Sequence, residues 1–174
     1  MLNLPFSPVG NNRIPAAAII AGRMAQTPSP DAVLDGYPEY ATGASQLDAS
    51  QRSALRAAAR EIVRSHASRN PIDAVAIVGH SDKALRKAVS ERAAFELDIS
   101  RQRAASARQM LLAEVKELAS GAHFSQVLLC VDLGMGNGRP IFQSAATEAQ
   151  MKRNRRVEIF FFQSLSSQPN CVVR

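Results

Sequence analysis

Three short apolar runs along the chain predict β-strands. Residues 72–78 and 127–131 are rich in aliphatic side chains, which is typical of strands that are buried in a sheet. Residues 33–37 are a weaker candidate, because Gly36 and Pro38 disfavour a central strand and indicate an edge or a bulge. The pattern therefore predicts three strands, with the first of them at an edge or interrupted by a bulge.

A fourth strand is predicted at residues 156–162, near the end of the chain. Its apolar side chains alternate, so that Val157, Ile159 and Phe161 share one face while Glu158 lies on the other. This alternation predicts a strand that is half buried.

Two longer stretches follow the helical period. The first begins at Asp48, which can cap the helix with Gln51 as its capping-box partner, and it ends before Pro71. Its apolar positions are Leu55, Ala58, Ala59 and Ile62, and its other face repeats Arg52, Arg56, Arg60 and Arg64. We interpret the arginine row as a solvated face, with an anion-binding patch as the alternative.

The second helical stretch covers residues 84–119, with an expected break before Asp98 and an end at Gly121. Its core stripe consists of Ala104, Ala107, Leu111, Val115 and Leu118. Arg103 borders this stripe, and we expect its side chain to lie against the end of the sheet.

The order strand, helix, strand, helix, strand, strand predicts an α/β protein, built as a two-layer α+β sandwich with a mixed sheet. The predicted domain covers residues 32–163, preceded by a flexible arm at 1–31 and followed by a disordered tail at 164–174. Five of the nine prolines of the chain lie in this arm. Residues 15–26 faintly resemble a signal peptide, but their short apolar part, closed by an arginine, favours an arm.

Composition and charge narrow the classes of function. The formal net charge of +6 leaves anionic partners open. Nucleic acid is not expected, because the basic residues are spread along helices and few aromatic rings are present to stack on bases. A membrane-spanning segment is not expected either, since no apolar run approaches the roughly 20 residues required. Whether Cys130 and Cys171 form a disulfide is left open.

Catalytic and metal chemistry are not predicted. Ser81 follows a strand within the start of a nucleophile-elbow motif, but Lys83 stands where the elbow requires glycine. The three histidines show none of the spacings that bind zinc. The glycines of residues 134–138 precede Arg-Pro instead of a helix, which indicates a turn and not a dinucleotide site. The sequence thus predicts no enzyme, no cofactor and no metal.

Three short motifs in one order carry a family resemblance. They are Gly-His-Ser-Asp at residues 79–82, Ile-Ser-x-x-Arg-Ala at residues 99–104, and Asn-Arg-Arg-Val-Glu-Ile at residues 154–159. Each motif alone is weak. In this order, over residues 33–162, they resemble the OmpA-like C-terminal domain, a family that includes outer-membrane protein A, the peptidoglycan-associated lipoprotein and the flagellar stator protein.

The resemblance implies non-catalytic, non-covalent binding of peptidoglycan through the diaminopimelate of its stem peptide. It assigns the ligand's ammonium group to the turn aspartate and its carboxylate to the helix arginine, whose guanidinium offers a bidentate fork. The predicted ligand-binding residues are His80, Ser81, Asp82, Glu96, Arg103, Asn154 and Arg155. The resemblance also implies a bacterial periplasmic or cell-envelope location at the outer membrane, and it leaves a homodimer open.

Two features depart from the family pattern. Glu96 replaces the family's helix asparagine and brings a second negative charge toward the pocket. Arg103 follows Asp82 by 21 residues, about six more than the family usually shows. This surplus either extends the helix by less than two turns or bulges beside the site.

Two alternatives stay open at this point. Asp82 and Arg103 could form an internal salt bridge that only ties the turn to the helix. At the level of function, the alternative is a protein-interaction or adaptor module with lost or altered peptidoglycan binding. Such a module would use the arginine row of the first helix or the N-terminal arm.

Overall fold

Strands and helices form close to the predicted positions in a computed structural model that describes residues 29–39, 47–119 and 129–163. The strands are β1 (Ala32–Leu34), β2 (Ile72–Gly79), β3 (Leu129–Gly134) and β4 (Val157–Gln163). The helices are α1 (Ala49–Ser65), α2 (Val89–Leu118) and α3 (Glu148–Asn154). The predicted tail, most of the predicted arm, Gly121 and Cys171 lie outside the described residues.

The four described strands form one mixed sheet in the order β1-β4-β2-β3. Strand β2 runs parallel to β3 and antiparallel to β4, and β1 pairs antiparallel with β4. The predicted α/β fold with a mixed sheet is therefore confirmed, and β1 lies at the predicted edge. The parallel pair brings the carboxyl ends of β2 and β3 together, which is where ligands are commonly bound in such sheets.

Helices α1 and α2 cover one face of the sheet and form the main core. Their apolar stripes pack against alternate residues of the central strands, such as Val75, Ile77 and Ile159. The predicted capping box of α1 is present, with the Asp48 carboxylate accepting from the backbone N–H of Gln51 at 2.8 Å. The four arginines of the α1 row are all exposed, as predicted for a solvated face.

The second face of the sheet corrects the prediction for β4. Phe160 and Phe162 are only 3% and 2% exposed, and they cluster with Ala74, Ala76 and Val78 of β2. The strand is thus buried on both faces. The small alanines of β2 leave room for the phenylalanine rings of its neighbour, which the alternation within β4 alone does not reveal.

Two helical predictions are also corrected. Helix α2 begins at Val89 instead of residue 84 and continues through Asp98 without a break. The predicted scheme has no helix before the last strand, where α3 is found. Its signal is a second capping box, in which Thr147 and Gln150 bond reciprocally at the helix start, as Asp48 and Gln51 do in α1.

Candidate functional site

The turn after β2 is held close to helix α2. A Cβ atom on Gly79 would lie 1.9 Å from the carbonyl oxygen of Ser100, so only glycine allows the helix to approach this far. The hydroxyl of Ser100 accepts a hydrogen bond from the backbone N–H of Gly136 at 2.9 Å. Gly136 has a φ of 53°, in the left-handed region that favours glycine. The serine therefore joins the helix to the loop after β3.

Backbone hydrogen bonds fix the same turn from both sides. The N–H of His80 donates to the carbonyl of Arg156 at 2.8 Å, and the N–H of Ser81 donates to the carbonyl of Gly136 at 2.9 Å. The turn is thereby bonded to the loops that flank β3 and β4. Asp82 follows it at the carboxyl end of β2, with its position determined by a rigid scaffold.

Arg155 is the ion-pair partner of Asp82. Its Nη1 lies 3.2 Å from Oδ2 of Asp82, and its Nη2 pairs with Glu148 of α3. Its Nε donates to the carbonyl oxygen of Tyr37 at 2.7 Å. The Arg155 side chain is 1% exposed, so it fixes the carboxylate from behind instead of presenting a free guanidinium to solvent.

Arg103 is fully buried and bonded to backbone carbonyl groups. Nη1 donates to the oxygen of His80 at 3.0 Å, and Nη2 donates to those of Pro38 and Glu39 at 3.1 Å. The guanidinium also lies 5.3 Å from the ring centre of Tyr37. Burial, followed by the charge of Arg155, lowers the pKa of Arg103 to about 10, which leaves it charged at neutral pH. It thus ties the turn to residues 37–39.

The carboxyl group of Asp82 is held in a balance of opposing effects. Burial raises its pKa, the charges of Arg155 and Arg103 lower it, and the net result is a pKa above the usual range. A partly buried carboxylate of this kind is destabilised by loss of water. A cationic ligand beside it would recover part of that electrostatic energy.

A cavity of about 270 Å³ opens beside Asp82. The residues that line it are Asp82, Lys83, Leu85, Asn137, Phe142, Gln143, Ser144, Ala145, Met151 and Asn154. Two larger clefts, of about 390 and 460 Å³, lie elsewhere on the described surface, but neither is bordered by Asp82. We take the smaller cavity as the candidate site, because it alone joins residues of the turn motif and the last motif.

Of two further predicted residues, Asn154 shapes a wall of this cavity and Glu96 does not. The side-chain amide of Asn154 accepts from the N–H of Phe142 and donates to its carbonyl, both at 2.9 Å, and so fixes one wall. Glu96 accepts the N–H of Ala84 at 2.8 Å. The carboxylate that departs from the family pattern is therefore bonded to the backbone that follows Asp82, and it does not line the cavity.

The surplus before Arg103 bulges beside the site. Residues 83–88 form a non-helical turn, and Arg92 holds this turn by donating to the carbonyls of Leu85 and Lys87 at 3.2 and 3.0 Å. Leu85 and Val89 are 56% and 79% exposed. Of the two forms that the sequence allowed for the surplus, the bulge is the one observed.

His80 and Ser81 lie outside the cavity wall. The Nε2 atom of His80 is 3.0 Å from a carboxylate oxygen of Glu158, whose other oxygen accepts from Arg156 at 2.8 Å. Burial raises the pKa of Glu158, but the bonds and charges of His80 and Arg156 outweigh it and hold that pKa below its usual range. The Ser81 hydroxyl is buried without a hydrogen bond among the described residues. These side chains support the turn from the second sheet face.

Several residues of the site were missed by sequence reasoning. Lys83, Phe142 and Met151 line the cavity, and Glu148 is the second partner of Arg155. The capping box at the start of α3 could have revealed that a helix carries Glu148 and Met151 toward the last motif. The carbonyls of residues 37–39 leave no such signal, because any residue type supplies them.

A model of the OmpA family matches residues 39–155, two thirds of the chain. The chain belongs to the OmpA family. The OmpA-like, peptidoglycan-binding domain family that the three motifs predict is therefore confirmed. Among curated proteins no match is found.

Solved structures with the same fold accompany this match. The peptidoglycan-associated lipoprotein of Burkholderia pseudomallei is 17% identical with a TM-score of 0.50, over 76% of this chain and 91% of its own. The C-terminal domain of Helicobacter pylori MotB is 19% identical with a TM-score of 0.50, over 78% and 86%. The cell wall anchor of the T6SS from Pseudomonas aeruginosa is 19% identical with a TM-score of 0.50, over 87% of this chain and 99% of its own. At these identities the likeness shows the fold of the OmpA-like chain.

Two other kinds of site are absent from the described residues. None of the helices they form is both long enough and apolar enough to cross a membrane. Nor do residues 29–39, 47–119 and 129–163 contain a group of three or more His, Cys, Asp or Glu side chains suited to a metal ion.

Proposed function

We propose that this chain binds bacterial peptidoglycan without catalysis, through the diaminopimelate of the stem peptide. The observation that carries the proposal is the carboxylate of Asp82 in the wall of a cavity, at the turn motif that the sequence shares with the family. The free end of diaminopimelate carries an ammonium group, and a charge-assisted hydrogen bond to Asp82 would hold it. Phe142 and Met151 supply apolar surface for its methylene groups.

The other motif residues have supporting roles in this proposal. Arg155 positions the Asp82 carboxylate, and Asn154 positions the loop that carries Phe142. Glu96 holds the backbone after the turn, while His80 and Ser81 support it from below. Direct contact between Arg103 and the ligand's carboxylate stays a prediction, because in the free protein its guanidinium is bonded to three backbone carbonyls.

Sedimentation with purified diaminopimelate-type sacculi tests the proposal. Asp82→Asn should weaken binding by about tenfold or more, because a hydrogen bond to a charged group typically contributes about 1.5–3 kcal/mol. Asp98→Asn is the matched control, since it removes the same charge from an exposed position where, among the described residues, Asp98 accepts a hydrogen bond from Gln102 at 2.7 Å. Equal binding by wild type, Asp82→Asn and Asp98→Asn would rule the proposal out.

The second candidate is an interaction or adaptor module that no longer uses this ligand. The observation that favours it is the use of both motif arginines in internal hydrogen bonds, next to a bulge that exposes Leu85 and Val89. The arginine row of α1 is less suited to bind a partner, because Arg56 pairs with Glu114 and Glu117, and Arg64 pairs with Glu61. Under this alternative, retention on sacculi would be independent of Asp82.

The proposal requires the chain to lie in the periplasm or elsewhere in the cell envelope, where peptidoglycan is found. The similarity to a structure described as a cell wall anchor supports this location. Fractionation of the native producer, with cytoplasmic and periplasmic markers, is the test. A chain found only with the cytoplasmic marker would contradict it.

A further inference from the structure

The cavity beside Asp82 contains one acid and one base on adjacent residues. Of the described residues that line it, Asp82 is the one acid and Lys83 the one base. Both motif arginines lie outside the cavity wall, with Arg103 at 0% and Arg155 at 1% exposure. The positive charge that a ligand meets inside the cavity therefore belongs to Lys83.

Lys83 is also available for a ligand. It is exposed, and within residues 29–39, 47–119 and 129–163 its ammonium group has no hydrogen bond or ion pair. Its backbone is fixed nonetheless, because it lies between the bonded turn at residues 80–82 and Ala84, whose N–H donates to Glu96 at 2.8 Å. A flexible four-carbon stem on a fixed backbone allows the charge to reach across the cavity.

We propose that Lys83 binds the carboxylate at the free end of diaminopimelate and thereby determines specificity for diaminopimelate over lysine at this position of the stem peptide. This inference rests on the proposed function, in which Asp82 holds the ammonium group of the same end. A lysine stem presents the ammonium group alone, so it would use Asp82 but leave Lys83 without a partner. Discrimination then depends on a single ion pair.

The geometry favours Lys83 over Arg103 for this contact. Arg103 is 0% exposed and lies outside the cavity wall, where it donates to the carbonyls of His80, Pro38 and Glu39, so a carboxylate in the cavity would reach it only after the side chain or its neighbours move. Lys83 makes the contact without breaking any described bond. Lys83 is the first residue of the bulge that sets this chain apart from the family pattern.

Titration of the 174-residue chain with two synthetic stem tripeptides tests the inference. The peptides are L-alanyl-D-glutamyl-diaminopimelate and L-alanyl-D-glutamyl-lysine, which differ by one carboxylate. Wild type should prefer the diaminopimelate peptide by about two- to fivefold, the range expected of an exposed ion pair. Lys83→Met should bind the two peptides equally, with its affinity for the lysine peptide unchanged. Lys83→Glu should invert the preference.

Lys116→Met is the matched control, because it removes a lysine from an exposed position at the far end of α2. It should keep the wild-type preference. If Lys83→Met retains the preference, the carboxylate is bound elsewhere, with Arg103 as the next candidate, and the inference is wrong. Failure of the proposed function looks different: Asp82→Asn would then bind both peptides as wild type does, or wild type would bind neither.

Discussion

At the scale of single residues, the site concentrates buried charge at a small number of positions. Asp82 is 8% exposed and carries a raised pKa, even though Arg155 lies 3.2 Å away. A group whose folded pKa lies above its unfolded pKa makes the folded state less stable as pH rises through that interval. The ionised carboxylate of Asp82 therefore costs folding stability, which is expected where a charge is kept for the proposed ligand binding.

The variant Asp82→Asn should reveal this cost as a pH-dependent gain in thermal stability. At pH values well below about 4, the ordinary pKa of an aspartate, the Asp82 carboxyl is protonated in both the folded and the unfolded protein, and the two proteins should melt alike. As pH rises from about 4 toward neutrality, the unfolded chain releases this proton before the folded protein does, so the wild type loses stability and the melting temperature of the variant should rise relative to it. Thermal unfolding followed by circular dichroism across this range measures the difference, with Asp98→Asn as control. A variant that becomes relatively less stable as pH rises would contradict the raised pKa.

The same residues show how far sequence reasoning reaches. Asp82 and Asn154 were predicted in the site and do line the cavity, because their motifs lie at strand ends that the fold brings together. The carbonyl partners of Arg103 were not predictable. Two of these partners belong to Glu39 and Pro38, which lie 64 and 65 positions before Arg103 in the sequence. Any residue type supplies a backbone carbonyl, so such an acceptor leaves no pattern in the sequence. In the sequence, Lys83 stands out only as a departure from an enzyme motif.

At the scale of elements, the short helix α3 is the support on which two motif residues depend. Asn154 is its last residue and Arg155 its C-terminal cap, and both bond into the site. A helix of seven residues has little stability of its own. The reciprocal bonds between Thr147 and Gln150 therefore help to hold the wall of the cavity.

Removing that cap should loosen the site. Thr147→Ala should lower the free energy of unfolding by about 1 kcal/mol and increase hydrogen exchange within residues 148–154. Thr147→Ser keeps the capping oxygen and is the matched control. Chemical denaturation gives the first quantity, and exchange followed by mass spectrometry gives the second. Equal behaviour of the alanine and serine variants would show that the cap is not required.

The long helices were predicted well because their periodic stripes extend over many residues, whereas α3 has too few residues for a periodic signal. The stripe from Ala104 to Val115 packs as predicted, and Leu118 lies partly buried against the same core. The start of α2 was predicted five residues too early. Residues 84–88 have helical composition, but the bonds of Arg92 to the carbonyls of Leu85 and Lys87 hold them as a turn.

At the scale of the whole molecule, net charge and site chemistry predict two distinguishable kinds of binding to peptidoglycan. The formal net charge of +6 attracts the chain to any anionic polymer, including the carboxylates of peptidoglycan. This attraction acts through solvent, where the Debye length falls from roughly 10 Å at 0.1 M salt to about 3 Å at 1 M. An ammonium group beside the largely buried Asp82 is screened much less.

Salt should therefore separate specific from non-specific binding to sacculi. As sodium chloride increases from about 0.05 to 0.5 M, the residual binding of Asp82→Asn should fall steeply, whereas wild type should lose only part of its affinity. The ratio of the two affinities should increase with salt. Sedimentation isotherms at four salt concentrations measure this ratio, and Asp98→Asn, with the same net charge as Asp82→Asn, should follow wild type. A ratio that falls toward one as salt increases would show that Asp82 contributes only to the general charge of the surface and not to a specific binding site.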